Sequence, residues 1–170
     1  MTTRARLLAL AAACSAACAA TPAVAVTQNA SVKANVVKPL ILASLQNLDL
    51  GTITLKPGNW TGATVGISRT GIFSCANTNL VCTGAPQVAK YNVTGSNNQL
   101  VRVSAPNVTL INQADASKTL TLVVDNPGTI TLPSSGVKGL DFSLGGSITL
   151  GATAASGTYQ GTFHVTVDYQ

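Results

Sequence analysis

Short runs of branched and apolar residues, separated by turn-forming residues, make up most of the chain after residue 30. Val, Ile and Thr favour strands because a side chain branched at Cβ packs well on a pleated sheet. Gly, Pro and Asn between the runs supply the dihedral angles that turns need. No stretch here keeps the apolar period of about 3.6 residues that is typical of a helix. The pattern therefore predicts an all-β fold, an immunoglobulin-like β-sandwich.

The positions of the runs predict where the strands lie, with Gly145-Gly146 as a turn between two of them. The predicted strands are Ser31–Val37, Leu48–Leu55, Ala63–Ile67, Val88–Thr94, Leu100–Ser104, Val108–Ile111, Thr119–Val124, Thr129–Leu132, Leu140–Leu144, Ser147–Leu150 and Thr158–Tyr169. No linker, repeat or block of charge divides them, so a single domain is expected.

The N-terminus has the layout of a secretory signal peptide. Arg4 and Arg6 precede an apolar run, Leu7–Ala20, and small residues occupy positions 23 and 25. The run is too short and too rich in Ala to span a bilayer comfortably. We expect residues 1–25 to be removed and residues 26–170 to form one exported domain, in the periplasm, at the cell surface or outside the cell, without an integral membrane segment. An uncleaved anchor, or a lipid-modified Cys14 or Cys18, are the alternatives.

The charged residues do not indicate a nucleic-acid-binding protein. The whole chain has a formal net charge of +5, and loss of Arg4 and Arg6 with the signal peptide lowers it to +3. The remaining Lys and Arg are scattered singly, whereas nucleic-acid binding usually needs a clustered basic stripe. A weakly cationic surface is the interpretation that the distribution favours.

Two cysteines remain in the predicted mature chain, Cys75 and Cys82. In an oxidising compartment we expect them to form a disulfide across a short loop. A metal site would need further Cys or His nearby, and His164 is the only histidine. Redox-active pairs usually have two intervening residues, and here there are six. We therefore expect a structural disulfide, no metal and no cofactor.

The C-terminal segment, Gly157–Gln170, alternates apolar and polar residues. A period of two places one set in a core and the other in solvent. The expected core-facing residues, which with Gly157 form the predicted strand interface, are Tyr159, Phe163, Val165, Val167 and Tyr169. The simplest interpretation is the final strand of a sandwich.

The position of this segment adds a resemblance. Gly157 is fourteenth from the end and Tyr169 is penultimate. The segment thus resembles the C-terminal strand of chaperone–usher pilins. That resemblance implies a structural subunit of a fimbrium, recognised by a periplasmic chaperone and completed by a strand from another copy or a related subunit. The underlying interaction would be β-augmentation, in which backbone hydrogen bonds bind and alternate side chains specify.

Residues 26–37, which we call the arm, have the pattern expected of a donor strand. Val32, Ala34 and Val36 alternate with polar residues, and the alternation breaks at Gln28. A period of two does not distinguish a donor strand from the first strand of the chain's own sandwich, so both remain open.

A second resemblance covers nearly all of the predicted mature chain. The motifs Leu48-Asp49-Leu50-Gly51, Tyr91-Asn92-Val93-Thr94-Gly95, Phe142-Ser143-Leu144-Gly145-Gly146 and Gly157-Thr158-Tyr159-Gln160-Gly161 resemble the secreted bacterial family DUF4402, a domain of unknown function. The usual Leu-Asp-Phe-Gly is Leu-Asp-Leu-Gly here. The resemblance implies export and a β-fold, and it supplies no catalytic residues.

Catalytic motifs are missing from the sequence. His164 lies on the polar face of the last predicted strand, and no G-x-S-x-G turn accompanies it. The five Asp are scattered, mostly at turns and strand starts. We therefore expect no enzyme. The alternative function is a carbohydrate-binding adhesin on the cell surface, for which Trp60, beside a turn, is the candidate sugar contact.

Overall fold

The computed structural model describes residues 25–134 and 138–170. The predicted signal peptide lies outside these residues, except for Ala25. Thirteen strands and no helix are present in the described chain. The strands are β1 (Ile41–Gln46), β2 (Thr52–Leu55), β3 (Ala63–Ile67), β4 (Phe73–Ser74), β5 (Leu80–Thr83), β6 (Ala89–Thr94), β7 (Leu100–Ser104), β8 (Val108–Asn112), β9 (Thr119–Asp125), β10 (Thr129–Thr131), β11 (Leu140–Leu150), β12 (Tyr159–Gln160) and β13 (Thr166–Tyr169).

The chain divides into two units, residues 1–35 and residues 36–170. Within the first unit, residues 25–35 have no secondary structure and are exposed. The predicted strand Ser31–Val37 is therefore wrong. Its alternation is real, but no described strand pairs with it, and an extended segment without a partner leaves its ladder hydrogen bonds unmade.

The second unit is built from antiparallel sheets only. The largest has the order β1-β6-β11-β9-β8-β12, with β3 paired to β11 and β4 paired to β3. A second sheet has the order β10-β7-β13, and β2 pairs with β5 in a third. The predicted all-β sandwich is confirmed.

Two apolar clusters fill the space between the sheets. The first contains the buried residues Val93, Val101, Val103 and Leu144, and four alternate C-terminal residues pack against it: Phe163, Val165, Val167 and Tyr169. The second contains Val65, Leu80, Leu122, Ile148 and Leu150. Phe163 packs against both clusters. The C-terminal segment therefore contacts the core through alternate residues from Phe163 to Tyr169.

One predicted turn is wrong for an identifiable reason. Gly145-Gly146 is not a turn, because β11 runs through both glycines. A Cβ on Gly145 would overlap the Ile67 carbonyl oxygen, and one on Gly146 would lie 2.9 Å from Leu122. These glycines allow the close approach of β3 and of the core rather than a reversal of the chain.

Strand β1 was not predicted, because its sequence, Ile-Leu-Ala-Ser-Leu-Gln, has few of the branched residues that favour strands. Its register is set by pairing with β6, where Leu42 lies opposite Val93. The short strands β4 and β5 were also missed. They flank the disulfide loop and depend on contacts distant in sequence.

The Tyr169 hydroxyl joins the end of β13 to Lys38, the residue that follows the arm. It donates to the Lys38 carbonyl oxygen at 2.7 Å and accepts from the Ser96 N–H at 2.7 Å. The N–H of Lys38 donates to Ser96 Oγ at 2.6 Å. A side chain on Gly95 would overlap the Tyr169 hydroxyl, so this glycine leaves room for the ring. Lys38 is thereby fixed beside the C-terminus.

Replacing Tyr169 by Phe should lower the free energy of unfolding by about 1–3 kcal/mol, because two long-range hydrogen bonds lose their common partner. Tyr159→Phe is the matched control, since its hydroxyl makes one local bond to the Ala155 carbonyl at 2.9 Å. We expect a loss of about 1 kcal/mol there. Urea unfolding measures both, and a Tyr169→Phe loss no larger than that of Tyr159→Phe would contradict the assignment.

Candidate functional site

The C-terminal segment has the alternation that its sequence predicts. Tyr159, Phe163, Val165, Val167 and Tyr169 are half-buried, and each residue between them, His164 included, is exposed. The predicted single strand is divided into β12 and β13, because the segment leaves the edge of one sheet and joins the edge of another. Residues 161–165 between them belong to neither strand.

One edge of this segment has no described strand beside it. Strand β12 ends the order of the largest sheet, and β13 ends the order of the second. The Gln113 N–H donates to the Thr158 carbonyl at 2.8 Å, and the Gln170 N–H donates to the Leu100 carbonyl at 3.1 Å. Main-chain groups that pair with the neighbouring strand alternate with groups that do not in an antiparallel ladder. The N–H and C=O groups of Tyr159, Val167 and Tyr169 therefore point toward the open edge.

Strand β2 presents a second open edge. Its described partner is β5 alone, and next to it the Lys56 N–H donates to the Asn79 carbonyl at 2.8 Å. By the same alternation, Ile53 and Leu55 direct their main-chain groups away from β5. The N–H of Gly51 is already taken by the Asp49 carboxylate at 2.8 Å.

A groove of about 1280 Å³ lies between these two edges. Residues 47–55, the β2 wall, form one side, and residues 154–163, the C-terminal wall, form the other. The floor is apolar and is formed by Ala89, Tyr91, Leu110, Leu120, Leu122, Ile148 and Leu150. Asp49 is the one charged residue among the described lining residues. Apolar side chains that a closed sandwich would bury, such as Leu50, Ile53 and Leu110, are only half-buried here.

Tyr91 keeps its part of the floor uncharged. Its ring stacks on Phe142 with centroids 5.6 Å apart and planes 19° from parallel. Burial raises the pKa of the Tyr91 hydroxyl, and a hydrogen bond from Ser44 opposes the shift more weakly. The phenol is therefore neutral at physiological pH.

The disulfide Cys75–Cys82 is present and connects the β2 wall to the main sheet. Cys82 lies in β5 opposite Ile53 of β2. Cys75 directly follows β4, which pairs with β3. The described part of β2 pairs with β5 alone, and the disulfide links this pair covalently to the end of β4. Asp49 of the same wall also exchanges two main-chain hydrogen bonds with Gln87.

Gly157 positions the C-terminal wall. It has a φ of +138°, and a Cβ there would lie 2.5 Å from the Asn112 amide oxygen. Asn112 is a buried polar residue, 2% exposed. Its amide donates to the Ser156 carbonyl at 2.9 Å and accepts from the Ala114 N–H at 2.9 Å. The glycine fourteenth from the end thus permits the contact that ties the start of this wall to the end of β8.

The arm residues of the predicted donor strand are exposed. Val32 and Val36 are 94% and 91% exposed, and Val26 is 78% exposed. Ala34 is exposed as well. Alternating apolar side chains in water are an unstable arrangement unless a partner covers them.

Trp60 lies in the loop after β2, and its indole is already engaged. Its N–H donates to the Lys56 carbonyl at 3.0 Å, and its ring packs against the second apolar cluster. The ring that was predicted as a sugar contact is therefore half-buried in its own loop.

The titratable groups of the described residues do not form a catalytic or metal-binding constellation. Residues 25–134 and 138–170 contain no group of three His, Cys, Asp or Glu suited to a metal. Asp115 is exposed, and hydrogen bonds from Ser117 lower the pKa of its carboxyl. Asp125 pairs with Arg69 at 2.7 Å on the surface. His164 is exposed on the C-terminal segment.

The β2 wall was not predicted as part of a site. Its alternation, Leu48, Leu50, Ile53 and Leu55, is visible in the sequence. The lack of a strand beside it is not visible there, because strand pairing depends on residues distant in sequence. Within residues 25–134 and 138–170, the structure has no helix that is long and apolar enough to cross a membrane.

Residues 40–169 match the DUF4402 family, a domain of unknown function. The chain belongs to this family. The DUF4402 match includes both groove walls, the disulfide and Tyr169, and it leaves the arm outside. No curated protein and no solved structure matches the chain significantly.

Replacing Gly157 by Ala should lower the free energy of unfolding by about 2 kcal/mol or more, because the new Cβ meets Asn112 and the backbone is strained for an L-residue. Gly151→Ala is the control, since no atom lies within 4 Å of its added Cβ. There we expect a change within about 0.5 kcal/mol. Equal effects of the two substitutions in thermal or urea unfolding would refute this role of Gly157.

Removing the disulfide with Cys75→Ala and Cys82→Ala should cost about 2–3 kcal/mol of stability. The loss of stability should be greatest near the disulfide. Amide hydrogen exchange should therefore accelerate more in β2 and β5 than in β7, which lies in a different sheet. Native-state hydrogen exchange measures this difference. A uniform acceleration across β2 and β7 would show that the disulfide does not specifically hold the β2 wall.

Proposed function

We propose that this DUF4402 protein is an exported, non-catalytic structural subunit that assembles by accepting a β-strand in its groove. The observation that carries the proposal is the groove itself, in which two open strand edges face an apolar floor. A strand placed there would pair its backbone with both walls and cover the floor with alternate side chains.

The C-terminal segment supports a pilin-like role. The two positions that carry the resemblance to chaperone–usher pilins have defined contacts in this chain: Gly157 packs on Asn112, and Tyr169 fixes Lys38. The open edge belongs to the same segment. A periplasmic chaperone that protects the groove before assembly is consistent with the proposal, since an open apolar edge is prone to aggregation.

Export is the second element of the proposal. The predicted signal peptide and the disulfide both suit an oxidising compartment outside the cytoplasm. The cell surface is the place where a subunit that assembles by strand capture would act. The adhesin alternative has no observation in its favour, because Trp60 is committed to its own loop.

Replacing Ile53 by Lys should block assembly while the domain stays folded. In the open groove the lysine stem lies over the floor and its ammonium reaches water. A strand that fills the groove would bury that charge, so we expect assembly to require an at least roughly tenfold higher concentration. Sedimentation velocity over a concentration series of the secreted chain measures the effect.

Val81→Lys is the matched control, because Val81 lies on β5 of the same two-stranded sheet, is 44% exposed and does not line the groove. It should assemble as the unaltered chain does. Thermal unfolding verifies that both variants are folded. The proposal fails if the unaltered chain stays monomeric at every concentration, or if Ile53→Lys assembles normally.

A further inference from the structure

We infer that Asp49 makes the groove selective for the charge of the strand that it captures. The preferred strand carries a basic side chain at the Asp49 end of the groove, and an acidic side chain at that place is disfavoured. The inference rests on the proposed function and adds the chemical class of the captured strand. It does not depend on which chain supplies that strand.

A single negative charge sets the electrostatic character of the groove. Asp49 is the one charged residue among the described lining residues, and it is exposed near the start of the β2 wall. The floor adds no charge, because the Tyr91 phenol is neutral and the other floor residues are aliphatic. A strand that enters the groove therefore meets one carboxylate and no cation.

Three hydrogen bonds fix the position of Asp49. Its N–H donates to the Gln87 carbonyl at 2.9 Å, and its carbonyl accepts from the Gln87 N–H at 2.8 Å. Its Oδ1 accepts from the Gly51 N–H at 2.8 Å. The second carboxylate oxygen, Oδ2, has no hydrogen-bond partner among residues 25–134 and 138–170. A carboxylate that is already held in place loses little conformational freedom when a ligand binds its free oxygen.

Water is the counterpart of this carboxylate in the open groove. Within the part of the chain that the structure describes, the salt bridge joins Arg69 to Asp125 and does not involve Asp49. A captured strand would displace some of the water, and a carboxylate that loses water without a new partner destabilises the complex. A basic side chain on the strand would replace that water with a charge-assisted hydrogen bond. An acidic side chain would add repulsion between like charges.

The other end of the groove offers no such contact. The β2 wall ends at Leu55, which lines the groove together with Leu150. Beyond this wall, the Trp60 carbonyl accepts from the Ala152 N–H at 3.2 Å. No charged residue lines this end among the described residues. A basic side chain is therefore favoured at one end alone, so that charge also selects the placement of the strand.

The first test compares three synthetic peptides that bind the complete secreted chain, at concentrations where sedimentation velocity shows a monomer. Each peptide has nine residues, as the β2 wall has, and Val and Thr alternate between its ends. Lys, Gln or Glu stands at both ends, so the direction of insertion does not affect the comparison. Acetylated and amidated termini remove the terminal charges. Displacement of a fluorescent Gln peptide measures the three affinities.

The Lys peptide should bind about fivefold more tightly than the Glu peptide at low salt, with the Gln peptide between them. The predicted mature chain has a net charge of +3, so its long-range field would favour the Glu peptide. A preference for Lys therefore identifies a local negative charge. At about 1 M salt, where the Debye length is about 3 Å, the preference should fall below about twofold.

Asp49→Asn tests the residue itself. Asparagine keeps an oxygen that accepts from the Gly51 N–H and removes the charge, so the three peptides should bind equally within about twofold. Asp141→Asn is the matched control, because Asp141 is exposed, accepts a hydrogen bond from Asn92 and does not line the groove. It should retain the full preference for Lys. Thermal unfolding verifies that both variants are folded.

The two proposals fail differently. If the three peptides bind the unaltered chain equally, strand capture stands and Asp49 serves only to bind the Gly51 N–H, which overturns this inference. A preference for Lys that persists in Asp49→Asn would assign the selectivity to another group and would overturn it as well. If none of the peptides binds the unaltered chain, both proposals fall.

Discussion

Main-chain N–H and C=O groups along β2 and along β12, both of which line the groove, have no described strand beside them on one side. Open edges of this kind are ready to pair with a further strand, and between them lie the half-buried side chains of Tyr91, Leu110 and Leu120. Hydrogen bonding and apolar burial therefore favour the same event, the insertion of an extended segment. In a closed sandwich neither would remain available.

The contacts that hold the two walls differ in kind. The β2 wall belongs to a sheet of two strands, which is marginal by itself. It is joined to the core by Cys75–Cys82, by the burial of Leu80 and by the two main-chain hydrogen bonds between Asp49 and Gln87. The C-terminal wall begins at the packing of Gly157 on Asn112, and the segment ends at the hydroxyl of Tyr169. Each wall is thus fixed without a strand in the space between them. The groove remains open because its walls do not depend on its contents.

Much of the strand pattern could be predicted from local sequence, and the exceptions have physical causes. The period of two predicts that Tyr159, Phe163 and Val167 face the core. In the structure these side chains are half-buried, and the residues between them are exposed. Glycine is common in turns, so the sequence predicts a turn at Gly145-Gly146, yet these glycines serve close packing. Strand β1 was missed because pairing with β6 outweighs its weak strand propensity. The arm was predicted as a strand although the structure gives it no partner.

The sequence by itself determined the all-β class, the inward face of the C-terminal segment, the disulfide and the apolar alternation of the arm. These properties depend on residue type and on spacing along a few consecutive residues. Only the tertiary structure decided that β2 and the C-terminal segment leave their facing edges unpaired, and that Lys38 is fixed beside Tyr169. The physical reason is that alternation states which face of a strand is apolar but not which strand lies beside it. Which strands lie side by side is decided by contacts between residues that are far apart in sequence, up to 131 positions in the case of Tyr169 and Lys38.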